Sequence, residues 1–362
     1  MEKYYRAMVT MERCKETKKI YENSFDVIRL VAAYIVCFSH SFRHFNVHKP
    51  EWMLFLHDGS VGVTCFFVMT GFFMMISWEK IKNNPKAYRK FLKKRIMRLY
   101  PALWGSFIVI CLMDFLLIGE KFSAELFTKY IIKYCIFGNG AGYGENGLGN
   151  GVMWTIMVDV LFYLFTPLIH RLMKDKSFLF DSVLVIFFWI ISFFDNEIIG
   201  CLEKIPVVGA SIGLFISLFY EFLIGCLFYF NYDRILAKIT TAIALLYGLV
   251  FLIYYVIFAY TELFDKTYYM HSPFLAPFVA VLVMFLGYVF GNVKIKVDIS
   301  YGVFLYHMIA VGTLKWIGIT GILGIIITLV IATFMAVLSY YVIDRNVSVI
   351  GGRNLSYGKI GN

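Results

Sequence analysis

Apolar residues run along this chain in long blocks, without the three-to-four residue spacing that a half-buried surface helix shows. Blocks long enough to cross lipid lie near 24–42, 59–78, 97–118, 152–172, 178–194, 207–230, 239–260, 274–291, 298–314 and 321–343. Several sit near the lower limit of roughly 17 residues for a spanning helix. The stretch 125–137 is apolar but broken by Lys129 and Lys133, which predicts an interfacial or re-entrant segment. Residues 1–24 are highly charged, and the apolar stretch after them, Phe25 to Phe38, contains Arg29 and lacks a small-x-small cleavage site. It therefore reads as a retained first helix and not as a signal peptide. The pattern predicts an all-α fold, a polytopic transmembrane bundle of about ten helices.

Composition supports that class. Of 362 residues, 60% are hydrophobic and only 16% charged, too few to coat a soluble surface, whereas lipid demands no such coat. The net charge of +10 lies between apolar blocks and not on one soluble face, so membrane lipid is the expected partner and nucleic acid is not. With the N-terminus inside, the cytoplasmic segments carry 25 Lys and Arg and the outer ones 8, with Arg29 inside the first helix completing the 34. By the positive-inside rule both termini are cytoplasmic. The expected domains are a cytoplasmic segment 1–23, a transmembrane domain 24–343 and a cytoplasmic tail 344–362. The seven cysteines include no C-x-x-C pair, and only Cys135 and Cys201 are candidates to meet in outer loops. The glycine-rich run 138–151 lacks the Gly-Lys-Ser/Thr ending of a phosphate loop and reads as a flexible outer loop, with a substrate lid as the alternative.

Ionisable residues inside lipid are costly, so each needs a reason. Arg29 and His40 are eleven residues apart, close to three helical turns and about 16 Å of rise, so both face the same way. Arg29 is read either as a functional cation or as the partner of Asp26 one turn earlier. His40 suits proton abstraction from an alcohol; its bland alternative is a packed or wetted histidine. Arg95 and Arg98 stand one turn apart at the end of the most basic segment, where guanidinium groups can grip phosphate bidentately or simply signal topology. Deeper residues are Trp154 and Asp159, Glu221, and His307, for each of which structural pairing is the competing reading. His40, Asp159, Glu221 and His307 would also serve as the relay of a proton-coupled secondary transporter or flippase. The inverted repeats and broken helices of such proteins are not visible here.

These residues fall into an order that resembles the membrane-bound acyltransferase-3 family of O-acyltransferases. Arg29 and His40, with ten residues between them, look like the family's opening. Gly62 to Gly71 resembles its second helix, with Thr70-Gly71 where Ser-Gly is usual. Arg95 to Pro101 matches an R-x-x-R segment followed by an aromatic-proline pair. Trp154 to Tyr163 resembles a motif with Asp159 in place of Glu. Ser300, Tyr301 and His307, then Leu338 to Arg345 with Asp344 for a usual Glu, resemble the last two helices. The resemblance covers nearly the whole chain and implies a multi-pass protein of the bacterial inner membrane. It implies transfer of an acyl group from acetyl-CoA or another acyl-CoA, without a metal, to a hydroxyl of a cell-envelope glycan or a small-molecule acceptor. His40 would be general base or acyl carrier, Arg29 would assist, and Arg95 and Arg98 would hold the donor. Trp154, Asp159, Glu221, Tyr301 and His307 are substrate-contacting or structural candidates. No added extracytoplasmic domain is expected, so onward transfer would use a separate acyl-transferring protein or happen in the membrane domain.

Overall fold

In the computed structural model, the residues described are 20–48, 59–119, 121–136, 138, 140, 147–205, 209–261 and 272–346. Most of both terminal segments, Cys14 and the middle of the glycine-rich run lie outside them. Every regular element among the described residues is helical. The elements are α1 (Phe25–His44), α2 (Gly59–Glu79), α3 (Ala87–Met113), α4 (Ala124–Ile131), α5 (Trp154–Met173) and α6 (Phe178–Ile191). They continue with α7 (Asp195–Leu202), α8 (Gly209–Phe230), α9 (Thr241–Tyr260), α10 (Ala276–Val289), α11 (Ser300–Trp316) and α12 (Gly321–Ser339).

Each of the ten expected spans has a helix. Eight are long and apolar enough to cross a membrane. The others are shorter, α10 with 14 residues and α11 with 17. The segment read as interfacial forms α4, whose Glu125 and Lys129 pair at 2.5 Å on an exposed face. Both Cys135 and Cys201 are free thiols. One boundary differs by ten residues: α3 begins at Ala87, not near 97. The reason is a four-residue stripe, Ala87, Phe91, Arg95 and Leu99, which is buried while Arg89, Lys90, Lys93 and Lys94 are exposed. The basic segment is thus the amphipathic first half of a long helix, a period hidden when charge is taken to end a span.

Packing divides the helices into a centre and a rim. Helix α2 is apolar on all sides, as befits a helix surrounded by protein, and it packs most extensively on α8 and α1. Helix α11 lies against both α1 and α12 and buries nearly its whole circumference. By contrast α9 presents Leu245, Leu246, Leu249 and Leu252 outward, and α12 presents Ile322, Leu323, Val330 and Phe334. Such faces belong in hydrocarbon. The N-terminus of α1 is tied down, with Ser24 N–H donating to the Gly287 carbonyl and Ser24 Oγ to the Gly291 carbonyl, each at 2.8 Å.

Candidate active site

Helices α1 and α11 are joined at both ends by polar pairs. At one end the Arg29 guanidinium donates to Asp298 Oδ2 at 2.9 Å and to Asp26 Oδ1 at 3.3 Å. At the other, His40 Nδ1 meets His307 Nε2 at 2.9 Å, with the two rings stacked at 5.1 Å. The His307 tautomer follows from its second contact. Its Nδ1 lies 3.1 Å from the Val303 carbonyl, which can only accept, so Nδ1 carries the hydrogen. In a neutral pair Nε2 of His307 then accepts from Nδ1–H of His40, and the lone pair of His40 is left on Nε2. That is the arrangement of an oriented base.

Between the two ends lies a cavity walled by α1, α2, α3, α5 and α11. Arg29, Arg98 and Ser300 line its first part, and Thr70, Asp159, Tyr163 and Tyr301 its middle. Toward its far end lie Val63, Phe66, Ile156 and Phe304, apolar apart from neighbouring Thr155. Phe66 and Phe304 meet there edge to face at 5.5 Å, and Phe304 in turn touches the His307 ring at 6.1 Å. An aromatic partition therefore stands between the cavity and the histidine pair.

The site residues read from sequence are distributed unequally around this cavity. Arg29, Arg98, Asp159 and Tyr301 line it, and Tyr301 donates its hydroxyl to the Leu99 carbonyl at 3.1 Å. His40 and His307 pair just beyond the partition. Arg95 does not reach the wall: it is buried, bonded to Ser77 and stacked over Phe91 at 5.5 Å. Trp154 packs its ring on Phe67 at 6.3 Å, and Glu221 is buried beside Tyr220, whose hydroxyl donates to it at 3.3 Å. Neither lines the cavity.

Asp298 escaped the sequence reading. The only signal was an acid at the edge of a span, just after Lys294 and Lys296. Its Oδ1 accepts from Ser300 N–H at 3.1 Å and Ser300 Oγ at 2.5 Å, so it fixes the start of α11 while its other oxygen holds Arg29. Burial alone would raise the Asp298 carboxyl, but the Arg29 guanidinium and the Ser300 bonds outweigh it and hold the group below its ordinary value. A depressed carboxyl contributes stability above its unfolded value, and that contribution disappears as pH falls through the folded one. Asp298→Asn is accordingly expected to flatten the fall in melting temperature of the detergent-solubilised protein below about pH 4. Superimposable melting profiles for the two proteins would show that the pair contributes nothing.

Beyond the partition, the described end of the glycine-rich run is pinned. Leu148 N–H donates to Asp114 Oδ1 at 2.6 Å, and the Asn150 amide donates to Tyr134 Oη and the Leu305 carbonyl, both at 3.0 Å. A segment read as a flexible loop thus ends in a fixed cover over α11, two residues from His307.

The chain is similar to known proteins along most of its length. Residues 22–344 match the acyltransferase-3 family, described as an acyltransferase domain. Nodulation protein 10 of Rhizobium leguminosarum bv. viciae is 26% identical over 331 residues, covering 83% of this chain and 86% of that protein. The O-acetyl transferase of Shigella phage Sf6 is 28% identical over 171 residues, 43% of this chain and 49% of its own length. No solved structure matches the chain significantly. A helical bundle with spanning helices, a cavity flanked by arginines at one end and a histidine pair at the other, and a family match across nearly the full length converge: this chain belongs to the acyltransferase-3 family and is a multi-pass membrane acyltransferase.

Proposed function

We propose that the protein is an O-acetyltransferase that takes its acyl group from cytoplasmic acetyl-CoA and delivers it to a hydroxyl of a cell-envelope glycan or related acceptor. The observation that carries this reading is the single cavity running from Arg29 and Arg98 to the partition beneath His40 and His307. The name of the phage relative supports acetyl and oxygen as the transferred group and acceptor atom. The excess of Lys and Arg on the Arg29 side, 25 against 8, supports a cytoplasmic donor site.

In this reading the donor's phosphates lie at the arginine end, and its thin uncharged arm enters the cavity far enough to bring the thioester past Phe66 and Phe304 to His40. Arg98 is exposed there, and its charge acts on Asp159, Asp298 and Asp344. Arg29, held by two carboxylates, lends its charge to donor binding or to the oxyanion of the reacting carbonyl. His40 Nε2 takes the acceptor's hydroxyl proton as that oxygen attacks the thioester carbon. The carbon–sulfur bond breaks and the CoA sulfur leaves with the electron pair, to be protonated in turn. In the alternative route the same nitrogen attacks the carbonyl and carries the acetyl group briefly to the acceptor. His307 holds His40 in the tautomer that both routes need.

Transfer from labelled acetyl-CoA by reconstituted protein tests the proposal. Arg98→Ala is expected to weaken donor binding about tenfold or more, the worth of a charge-assisted hydrogen bond, and Arg98→Lys to restore it in part. Arg95→Ala, which removes a buried contact with Ser77 and Phe91, should act chiefly on stability. Unchanged donor affinity in Arg98→Ala would discard the phosphate contact. A wild-type protein that acetylates no glycan would discard the reaction.

A further inference from the structure

The middle of the cavity is the least explained part of the site. Its far end is largely apolar and its near end cationic, yet between them the wall carries Thr70, Asp159, Tyr163 and Tyr301. Several polar groups around the cavity are already occupied as donors. Tyr301 donates to Leu99, Ser300 Oγ to Asp298, and Thr155 Oγ1 to the Val152 carbonyl at 2.8 Å. Asp159 differs. Thr70 is hydrogen-bonded to its carboxyl group, but Oδ1 is buried with no partner. A buried acceptor left unused is costly unless something supplies a donor. Because the carboxyl group is nearly symmetric about its last torsion, either oxygen can turn to that donor.

The order of chemistry along the cavity identifies the donor. On α5, Asp159 stands about one turn from Ile156 and one turn from Tyr163, and on α2 Thr70 lies between Phe67 and Met74, so both sit midway along the wall. Resting on the acyl-CoA reading above, the molecule that fills this space has phosphates at one end, a thioester at the other and two secondary amides between them. An amide N–H drawn into an aromatic-walled cavity needs an acceptor at that depth. We infer that Asp159, held by Thr70, accepts a hydrogen bond from a pantetheine amide N–H, making the middle of the cavity a subsite for the arm of the donor. Asp159 is then a binding residue, separate in task from Arg98, which reads the phosphates.

The separation makes the inference testable on the full-length reconstituted protein. Three probes compete with labelled acetyl-CoA: CoA, pantetheine (which lacks the nucleotide) and 3′-phospho-ADP (which lacks the arm). Asp159→Ala is expected to weaken CoA and pantetheine about tenfold while leaving 3′-phospho-ADP as tight as before or tighter. Asp159→Asn keeps an acceptor oxygen and should stay within about threefold of wild type. Arg98→Ala should show the reverse pattern, weakening the nucleotide and sparing pantetheine. Retained 3′-phospho-ADP binding also shows that Asp159→Ala is folded. Independently of any variant, a pantetheine analogue with both amide nitrogens methylated should bind wild type about tenfold less well. Equal weakening of all three probes in Asp159→Ala, or no weakening of pantetheine, overturns the subsite alone. Failure of wild type to bind CoA overturns the acyl-CoA reading and the subsite with it.

Discussion

His40→Ala, purified and reconstituted, is expected to lose acyl transfer by 10²–10⁴-fold, about 3–5 kcal/mol of barrier, while remaining folded and inserted. The structure sharpens the expectation beyond the loss of one imidazole. Because Nδ1 of His40 is engaged by His307 at 2.9 Å, only Nε2 is left to take a proton or an acyl group. His40→Gln keeps a polar side chain of similar reach but not a basic nitrogen, and should be as inactive as the alanine variant. His307→Ala should fall between these and wild type, because it removes one of the two partners that orient the His40 ring, the Val36 backbone being the other, without removing the ring. Its pH–rate profile should shift even where its maximal rate survives, which simple loss of packing would not produce. Full activity in His40→Ala would eliminate this histidine from the chemistry. A wild-type protein that transfers no acyl group, yet supports proton-coupled solute flux that His40→Ala abolishes, would make it a transporter.

The second large effect lies in packing. Gly71→Val is expected to yield little or no monodisperse protein. Helices α2 and α8 approach so closely that a β-carbon on Gly71 would collide with the Phe222 carbonyl, and one on Gly225 with the Val68 carbonyl. Both obstacles are backbone atoms, which cannot rotate away, and Cys226 Sγ lies 3.7 Å from the Gly71 carbonyl between them. Small residues at such crossings supply the van der Waals contact that holds helices together in lipid, where no hydrophobic drive remains. Overpacking a well-filled core ordinarily costs about 1–3 kcal/mol, and a backbone clash at the central helix pair belongs at or above that range. Gly248→Ala on α9 is the control: a β-carbon there meets nothing within 4 Å, so size-exclusion behaviour should not change. Equal yields from Gly71→Val and wild type would show that the helices can part without cost.

That contact also explains how much of the molecule the sequence reveals. Long apolar blocks locate spans well, since lipid rewards uninterrupted hydrophobicity whichever neighbours a helix has. They do not tell which helix is central: α2 and α9 read alike, yet one is enclosed by protein and the other faces lipid. Gly71 was legible only as part of a Thr-Gly motif, because a glycine's worth depends on what lies across from it. Arg95 and Arg98 looked equivalent at one turn apart, but four-residue periodicity puts Arg95 on the buried stripe and leaves Arg98 for the cavity. His40 and His307 could each be singled out as ionisable groups at depth. That they bond across 267 residues of chain is information carried by tertiary packing alone. The pairing of Asp298 was hidden for the same reason, its partner Arg29 lying 269 residues away.

The aromatic partition formed by Phe66 and Phe304 has an energetic consequence for a cell that maintains a voltage across its membrane. A charge driven through that voltage costs about 2.3 kcal/mol per 100 mV, and the phosphates of CoA carry several. If the highly charged part of the donor halts at Arg29 and Arg98, the electric field has nothing to push against. Only the uncharged thioester end of the donor then passes the two phenyl rings. On the proposed acetyl-CoA reading, the acyl group would thus cross almost free of electrical work.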